Sequence, residues 1–358
     1  MRLQRHRQYK IVDSMCSEAC AGRLRRRTVS GNRFTSICQG VAMRLGQAIA
    51  LSCIGLAVSA APAFAQAKST CANPNALGIA RTVEVDTTGA PGFGFEQYKA
   101  HDFLLLKEVV LTFDDGPWPA NTRAVLDALA QHCTKAIFFP IGKHALWHPE
   151  ILKEVAAAGH TVGGHTWSHA NLNSNKSWPK KAAAKGQPEP TKDARTIEEI
   201  EKGFSAIKLA LGGQPAPFFR FPYLQAPQEA MDYLATRNVA VFSHDLDSFD
   251  FKKGKPEDIV KSVMGKLEKK GKGIILLHDF QQHTAKAMPQ LLGELKAQGF
   301  KVVHMRAKAP LQTIAQWDEA AKAEVKGGGG GGGRPTSSVI RTIEEGPAVT
   351  AGSPAPTK

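Results

Sequence analysis

The chain has 358 residues, 42% of them hydrophobic, which is enough for one large domain with a substantial core plus extensions. Its formal net charge is +14, but residues 1–65 carry +8 of it, from ten Lys/Arg against two Asp/Glu. The remaining +6 over 66–358 argues against a nucleic-acid binder and still suits an anionic polymer such as cell-wall material.

Residues 1–42 are basic and patternless, either a long pre-region or a stretch ahead of a true start at Met43. Residues 43–65 read as a secretory signal. Arg44 supplies positive charge, 48–61 form the apolar core, and Ala63-Phe64-Ala65 is a small-x-small cleavage pattern. Gln47, Ser52, Ser59 and the short core argue against an uncleaved membrane anchor. The expectation is a cut before Gln66, no stable membrane span afterwards, and export to the periplasm or the extracellular space. Cleavage would remove Cys16, Cys20, Cys38 and Cys53. An even pair then remains, Cys71 and Cys133, and an exported protein favours a disulfide between them.

Residues 66–106 show no clear period and read as an extension packed on the domain. A repeated alternation follows. Strand 109–113 precedes a helix capped by Asn121 and ending near Gln131. Strand 136–139 precedes a helix near 149–158 with Pro149 in its first turn. Strand 161–163 leads to a loop, and the Lys-, Pro- and Ala-rich 173–195 reads as an exposed insert. Thr196 and Glu199 form a capping box for a helix to about 211. Strands 218–220, 239–243, 273–277 and 301–304 alternate with helices near 227–237, 256–270, 284–298 and 310–318. The main domain is therefore expected over 107–318, and 319–358, with its glycine run from Gly327 to Gly333, as a disordered tail. Strand–helix alternation predicts an α/β fold with parallel strands, either a seven-unit barrel or a doubly wound sheet.

The polar candidates all follow the ends of predicted strands, the face that carries active sites in barrels. Asp114 and Asp115 close the first apolar run. Two adjacent carboxylates repel and lose hydration unless a cation or strong donor joins them. His165 and His169 stand at i and i+4, a spacing that puts both imidazoles on one face of a helical turn. Two histidines and a carboxylate are a common catalytic zinc set with one position open. Alone, the pair would read as surface histidines. Arg220, after Phe218-Phe219, needs a carboxylate partner at that depth, and an ordinary ion pair would meet the need. Asp247 and Asp250 stand in a polar loop. His278 closes the run 273–277, as a core histidine or as a general acid with an unperturbed pKa of ~6.5.

In this order, the stretch 107–305 resembles the polysaccharide deacetylases of the nodulation-protein-B type, carbohydrate esterase family 4. The motifs are Thr-Phe-Asp-Asp-Gly at 112–116, His-Thr-Trp-Ser-His at 165–169, Arg-Phe-Pro-Tyr at 220–223, Asp-Ser-Phe-Asp-Phe at 247–251 and Leu-Leu-His at 276–278. Phe251 stands where the family usually has Trp, which leaves sugar preference open. The resemblance implies a distorted (β/α)7 barrel. It implies a divalent metal, Zn2+ or in its place Co2+ or Mn2+, on Asp115, His165 and His169. It implies Asp114 as general base, Arg220 as its orienting partner and the Tyr223 N–H as an oxyanion donor. It implies His278 as general acid tuned by Asp250, and a groove lined by Pro222, Tyr223, Phe251 and Leu276. The implied reaction removes acetyl groups from N-acetylated sugars of a glycan. The rivals are an O-acetyl esterase on the same fold, a silent glycan-binding module, and a structural zinc, disfavoured because the chain offers three ligands and no fourth.

Overall fold

The structure, a computed structural model, describes residues 71–173 and 191–326. The basic pre-region, the signal segment, the insert from 174 to 190 and the tail from 327 lie outside the described residues. The strands are β1 (Arg81–Val85), β2 (Gly92–Phe93), β3 (Glu108–Asp114), β4 (Ile137–Phe139), β5 (Thr161–Val162), β6 (Phe218–Phe219), β7 (Ala240–Phe242), β8 (Leu246–Asp247), β9 (Gly273–His278) and β10 (Lys301–Ala307). The helices are α1 (Pro119–Gln131), α2 (Gly142–Trp147), α3 (Pro149–Ala157), α4 (Lys192–Leu211), α5 (Gln228–Thr236), α6 (Pro256–Lys270), α7 (Gln282–Ala297) and α8 (Ala315–Lys326).

Every strand pairing is parallel. Strand β3 is the hub, pairing with β9 along its length, with β4 at its C-terminal end and with β10 at its start. Buried at all seven positions, β3 carries the continuous apolar run Val109-Val110-Leu111. Its alternation sorts two cores. Val109, Leu111 and Phe113 face the helical layer, packing with Leu129, Met288 and Leu291. Val110 faces the interior with Ile137, Phe139, Phe218, Phe242 and Ile274. Period two therefore puts Thr112 and Asp114 on the interior side as well.

The strands form a seven-stranded and a three-stranded sheet. A single parallel bridge, Gly164 to Phe219, joins them into a distorted barrel. The approach there is close: a Cβ on Gly163 would stand 2.6 Å from the Phe218 carbonyl oxygen, and one on Gly164 2.7 Å from the Phe204 ring. Backbone contact at this seam requires glycine.

Several details differ from the sequence expectations. The 66–106 segment contributes β1, on β10, and β2, on β7. Alternating exposure along β1 and the brevity of β2 hid both. Asn121 is no cap, because α1 starts at Pro119, and its Nδ2 donates to the Phe280 carbonyl at 2.5 Å. The cap of α4 is Thr191, whose hydroxyl accepts from the Ala194 N–H, so Thr196 and Glu199 lie inside the helix. The final helix runs to Lys326, past the expected boundary at 318. Lys202 with Glu324, and Lys208 with Asp318 at 2.7 Å, hold it against α4. A disulfide joins Cys71 to Cys133 with Cα atoms 5.8 Å apart. No helix among the described residues is long and apolar enough to cross a membrane.

Candidate active site

Register places the site. In the β3–β9 ladder Asp114 stands opposite His278, so two polar side chains from distant sequence share one level at the strand ends. Asp114 points inward and meets Arg220, which has no exposed surface. The guanidinium donates from Nη1 to Asp114 Oδ1 at 2.8 Å and to Thr112 Oγ1 at 2.7 Å. Nη2 donates to the Ser243 carbonyl at 2.7 Å. The guanidinium carbon also sits 4.6 Å from the centre of the Phe139 ring. A buried guanidinium with this many acceptors is held in one orientation, and it holds Asp114 in turn.

Past the strand end the backbone turns sharply. Asp115 has φ 72°, in the left-handed region, and the Gly116–Pro117 bond is cis. The Asp115 N–H donates to the Phe139 carbonyl at 3.2 Å, and its own carbonyl accepts from His144 Nδ1 at 2.6 Å. That turn aims the Asp115 carboxylate at two imidazoles. Oδ1 lies 3.3 Å from His165 Nε2 and 3.4 Å from His169 Nε2. The ligand atoms of these three residues all lie within 4.8 Å of one another. The His165 Nδ1–H donates to the Arg220 carbonyl at 2.7 Å, which leaves Nε2 to face the carboxylate.

The histidine pair does not stand on a helical turn. Residues 165–169 form a loop with Thr166 at φ 63° and His169 at φ 59°. A reversing backbone brings the rings to 5.1 Å, where a helical period was expected to do so. Glu199, from inside α4, secures this loop. Its carboxylate accepts from the Ser168 N–H and hydroxyl, both at 2.8 Å.

On the other side, His278 Nδ1 meets Asp250 Oδ1 at 2.7 Å. The fully buried Asp250 also accepts from the His278 N–H and the Thr284 hydroxyl at 2.7 Å. Burial works to lower the His278 pKa, but the Asp250 carboxylate, with help from Asp115 and Asp114, carries it up to about 10. Burial holds His169 down at about 4 against the attraction of Asp115. Asp115 itself is pulled far below the usual carboxylate range: burial opposes this, and the surrounding imidazoles overcome it.

Tyr223, at φ 57° and 49% exposed, sets its ring 4.7 Å from that of His169. Phe251, 37% exposed, sets its ring 5.8 Å from His278. The other two groove candidates, Pro222 and Leu276, are buried, so their side chains offer little surface to a ligand. Sequence reasoning missed His144, Glu199 and Asp279. Asp279 lies under the Gly116 turn, its Oδ2 accepting from the Thr122 hydroxyl at 2.5 Å. A Cβ on Gly116 would stand 2.2 Å from that oxygen. Only its place directly after His278 could have signalled Asp279; His144 carried no signal.

Do these residues fit a metal? Asp115 Oδ1 is buried and makes no hydrogen bond, a cost unless a cation satisfies it. Two imidazole nitrogens converge on the same oxygen, and the three donors suit zinc or a similar divalent ion. They fit.

Residues 106–241 match the family model described as polysaccharide deacetylase. The chain thus carries a polysaccharide deacetylase domain. The domain is 30% identical over 200 residues to a peptidoglycan-N-acetylglucosamine deacetylase of Bacillus cereus, covering 55% of this chain and 66% of that protein. It is 29% identical over 238 residues to a chitooligosaccharide deacetylase of Sinorhizobium fredii, covering 63% of this chain and 94% of that protein. Among solved structures, the peptidoglycan deacetylase Bd3279 of Bdellovibrio bacteriovorus superposes with a TM-score of 0.54 at 33% identity, over 64% of this chain and 59% of that one. The chain thus spans 66% of the length of the first of these proteins and 59% of the solved structure.

Proposed function

We propose that this domain is a metal-dependent hydrolase that removes N-acetyl groups from amino sugars in a glycan outside the cytoplasm. Peptidoglycan, a chitin-like oligosaccharide or an exopolysaccharide would supply the substrate. One observation carries the reading: a carboxylate and two imidazoles share a point, flanked by a held carboxylate, Asp114, and an imidazole, His278, that Asp250 holds.

Asp115, His165 and His169 would hold the ion, Zn2+ first and Co2+ or Mn2+ as substitutes. When bound, it supplies Lewis acidity toward the amide carbonyl and toward water. The chain's own residues supply the proton path. Asp114 accepts the proton of the attacking water, with Arg220 fixing the carboxylate and Oδ2 left free of the guanidinium. The Tyr223 N–H donates to the carbonyl oxygen as it gains charge, a contribution of roughly 3 kcal/mol for one such donor. His278 protonates the departing amine, and Asp250 fixes its tautomer and orientation. Tyr223 and Phe251 flank the entrance.

The test is mass-spectrometric detection of acetate loss across acetylated glycans, with and without chelator and added metals. The expected result is loss from N-acetylated oligomers, stopped by chelation and restored by metal. Full activity in a chelated, metal-free sample overturns it. Release from O-acetylated oligomers alone would assign an esterase instead.

A further inference from the structure

The loop after β8 carries a group that the proton path does not use. Phe249 adopts φ 54°, a conformation a bulky side chain rarely takes, and it keeps 37% of its surface exposed. Asp247 Oδ1 secures the conformation by accepting from the Phe249 N–H at 2.8 Å. The result is a second exposed ring, 6.0 Å from that of Phe251, which itself abuts His278. Two exposed aromatic rings run outward from the general acid. Such faces stack against the apolar faces of sugar rings.

Two ammonium groups accompany the rings. Lys266 Nζ lies 4.1 Å from the Phe249 centroid, and it donates to the Asp247 carbonyl, so its charge already has a place in the fold. Lys252 differs. Its Nζ lies 5.2 Å from the centroids of both Phe249 and Phe251, and among the described residues no carboxylate pairs with it. A lysine poised over two sugar-stacking rings, with its charge unanswered, suits an anionic group on the sugar.

We propose that Phe249, Phe251 and Lys252 form a subsite for a carboxylate-bearing sugar next to the residue being deacetylated. The inference rests on the deacetylase reading for its placement and names the class of glycan. The carboxylate belongs either to a lactyl ether on an amino sugar or to a uronic acid. The rings stack on the sugar, and Lys252 pairs with its acid. The subsite is removed from the reacting amide, so it acts on KM and leaves kcat.

Three acetylated oligomers of equal length test it in the full chain: one neutral, one bearing lactyl ethers, one bearing uronic acids. Each is measured for kcat and KM and, separately, for equilibrium binding. In Lys252→Gln the ratio of acidic to neutral kcat/KM falls about two- to fivefold, the size of an exposed ion pair. Lys252→Arg retains the ratio, and raising the salt lowers it in the wild type but not in Lys252→Gln. Phe249→Ala weakens all three by about three- to tenfold through KM, since stacking ignores charge. The acidic oligomer that loses more in Lys252→Gln identifies the source of the carboxylate. In Lys252→Gln, equal losses on neutral and acidic oligomers, or none, overturn the subsite. If no oligomer releases acetate but binding still shows the charge-selective loss, the subsite stands and the deacetylase reading falls.

Discussion

Strand β3 carries a carboxylate–arginine pair at each end. At its start Glu108 meets Arg81 at 2.7 Å, and at its finish Asp114 meets Arg220 at 2.8 Å. The two pairs look alike on paper. Their surroundings make them opposites. Arg81 is 37% exposed along its side chain, and Glu108 has its oxygens answered by Arg81 and the Leu105 N–H. Arg220 is fully enclosed, and next to its partner stands Asp115, with Oδ1 buried and without a donor. A pair whose needs are met closes a structure. A pair beside an unmet need marks a place where something else binds. Left-handed non-glycine residues shape the loops of the upper end, at Asp115, Thr166, His169, Tyr223 and Phe249, while at the base Lys107 stands next to Glu108 in the same conformation. Such conformations persist only where surrounding structure enforces them.

The largest effect separates the two ends by activity. Asp115→Ala or His165→Ala should lower kcat by about a thousandfold or more, because the charge-stabilising site is lost. Glu108→Gln should leave kcat within about twofold, since nothing at the base reaches the reacting atoms. Acetate release measured on both variants decides it. Comparable losses would mean that the upper cluster has no special role.

Next comes the pair itself. Arg220→Met leaves Asp114 buried without its cation, and breaking such a pair costs about 3–5 kcal/mol. Denaturant unfolding should show that loss, and kcat should fall with it because Asp114 is no longer aimed. An Arg220→Met protein as stable as the wild type would place Arg220 outside the core that β3 organises.

A smaller effect has a sign. Burial is the main cause that pushes Asp279 up to about 7, and the nearby Asp115 charge adds to it. The folded state thus prefers the protonated form. Its contribution is complete below the unfolded value of 3.8 and is lost as pH rises through about 7. Asp279→Asn, which stays neutral, should unfold with a shallower loss of stability between about pH 4 and 7 than the wild type. Parallel pH profiles would show that Asp279 ionises freely in the fold.

How much of this was legible beforehand depends on what writes a pattern. The buried run Val109-Val110-Leu111 and the turn Asp114-Asp115-Gly116-Pro117 announce themselves, because a strand buried on both faces is apolar throughout and a turn needs its residues. The spacing of His165 and His169 was legible, but its cause was not: the rings meet through left-handed backbone in a loop. Strands β1 and β2 were invisible because an edge strand is half exposed and two residues carry no period. His144 and Asp279 hold the turn from α2 and from beyond β9, contacts that only the folded chain creates. The caps of α1 and α4 were misplaced because an amide three residues late, or a hydroxyl five residues late, mimics a start signal.

The smallest effect tests the base of β3. Arg81 is partly solvated, and removing it lets water reach Glu108, so Arg81→Met should cost only about 1–2 kcal/mol. Its hydrogen bonds are the main cause that holds the Glu108 pKa below the usual 4.5, with burial opposing. A lowered carboxylate contributes stability above the unfolded pKa and loses it as pH falls. The gap between wild type and Arg81→Met should therefore be full at neutral pH and shrink as the pH drops below 4.5. Urea midpoints at pH 7 and pH 4 measure it. A gap that grows in acid would mean that Arg81 acts through its contact with the Phe103 carbonyl, at 2.8 Å, and that the base of the strand is held by a neutral acceptor instead of by charge.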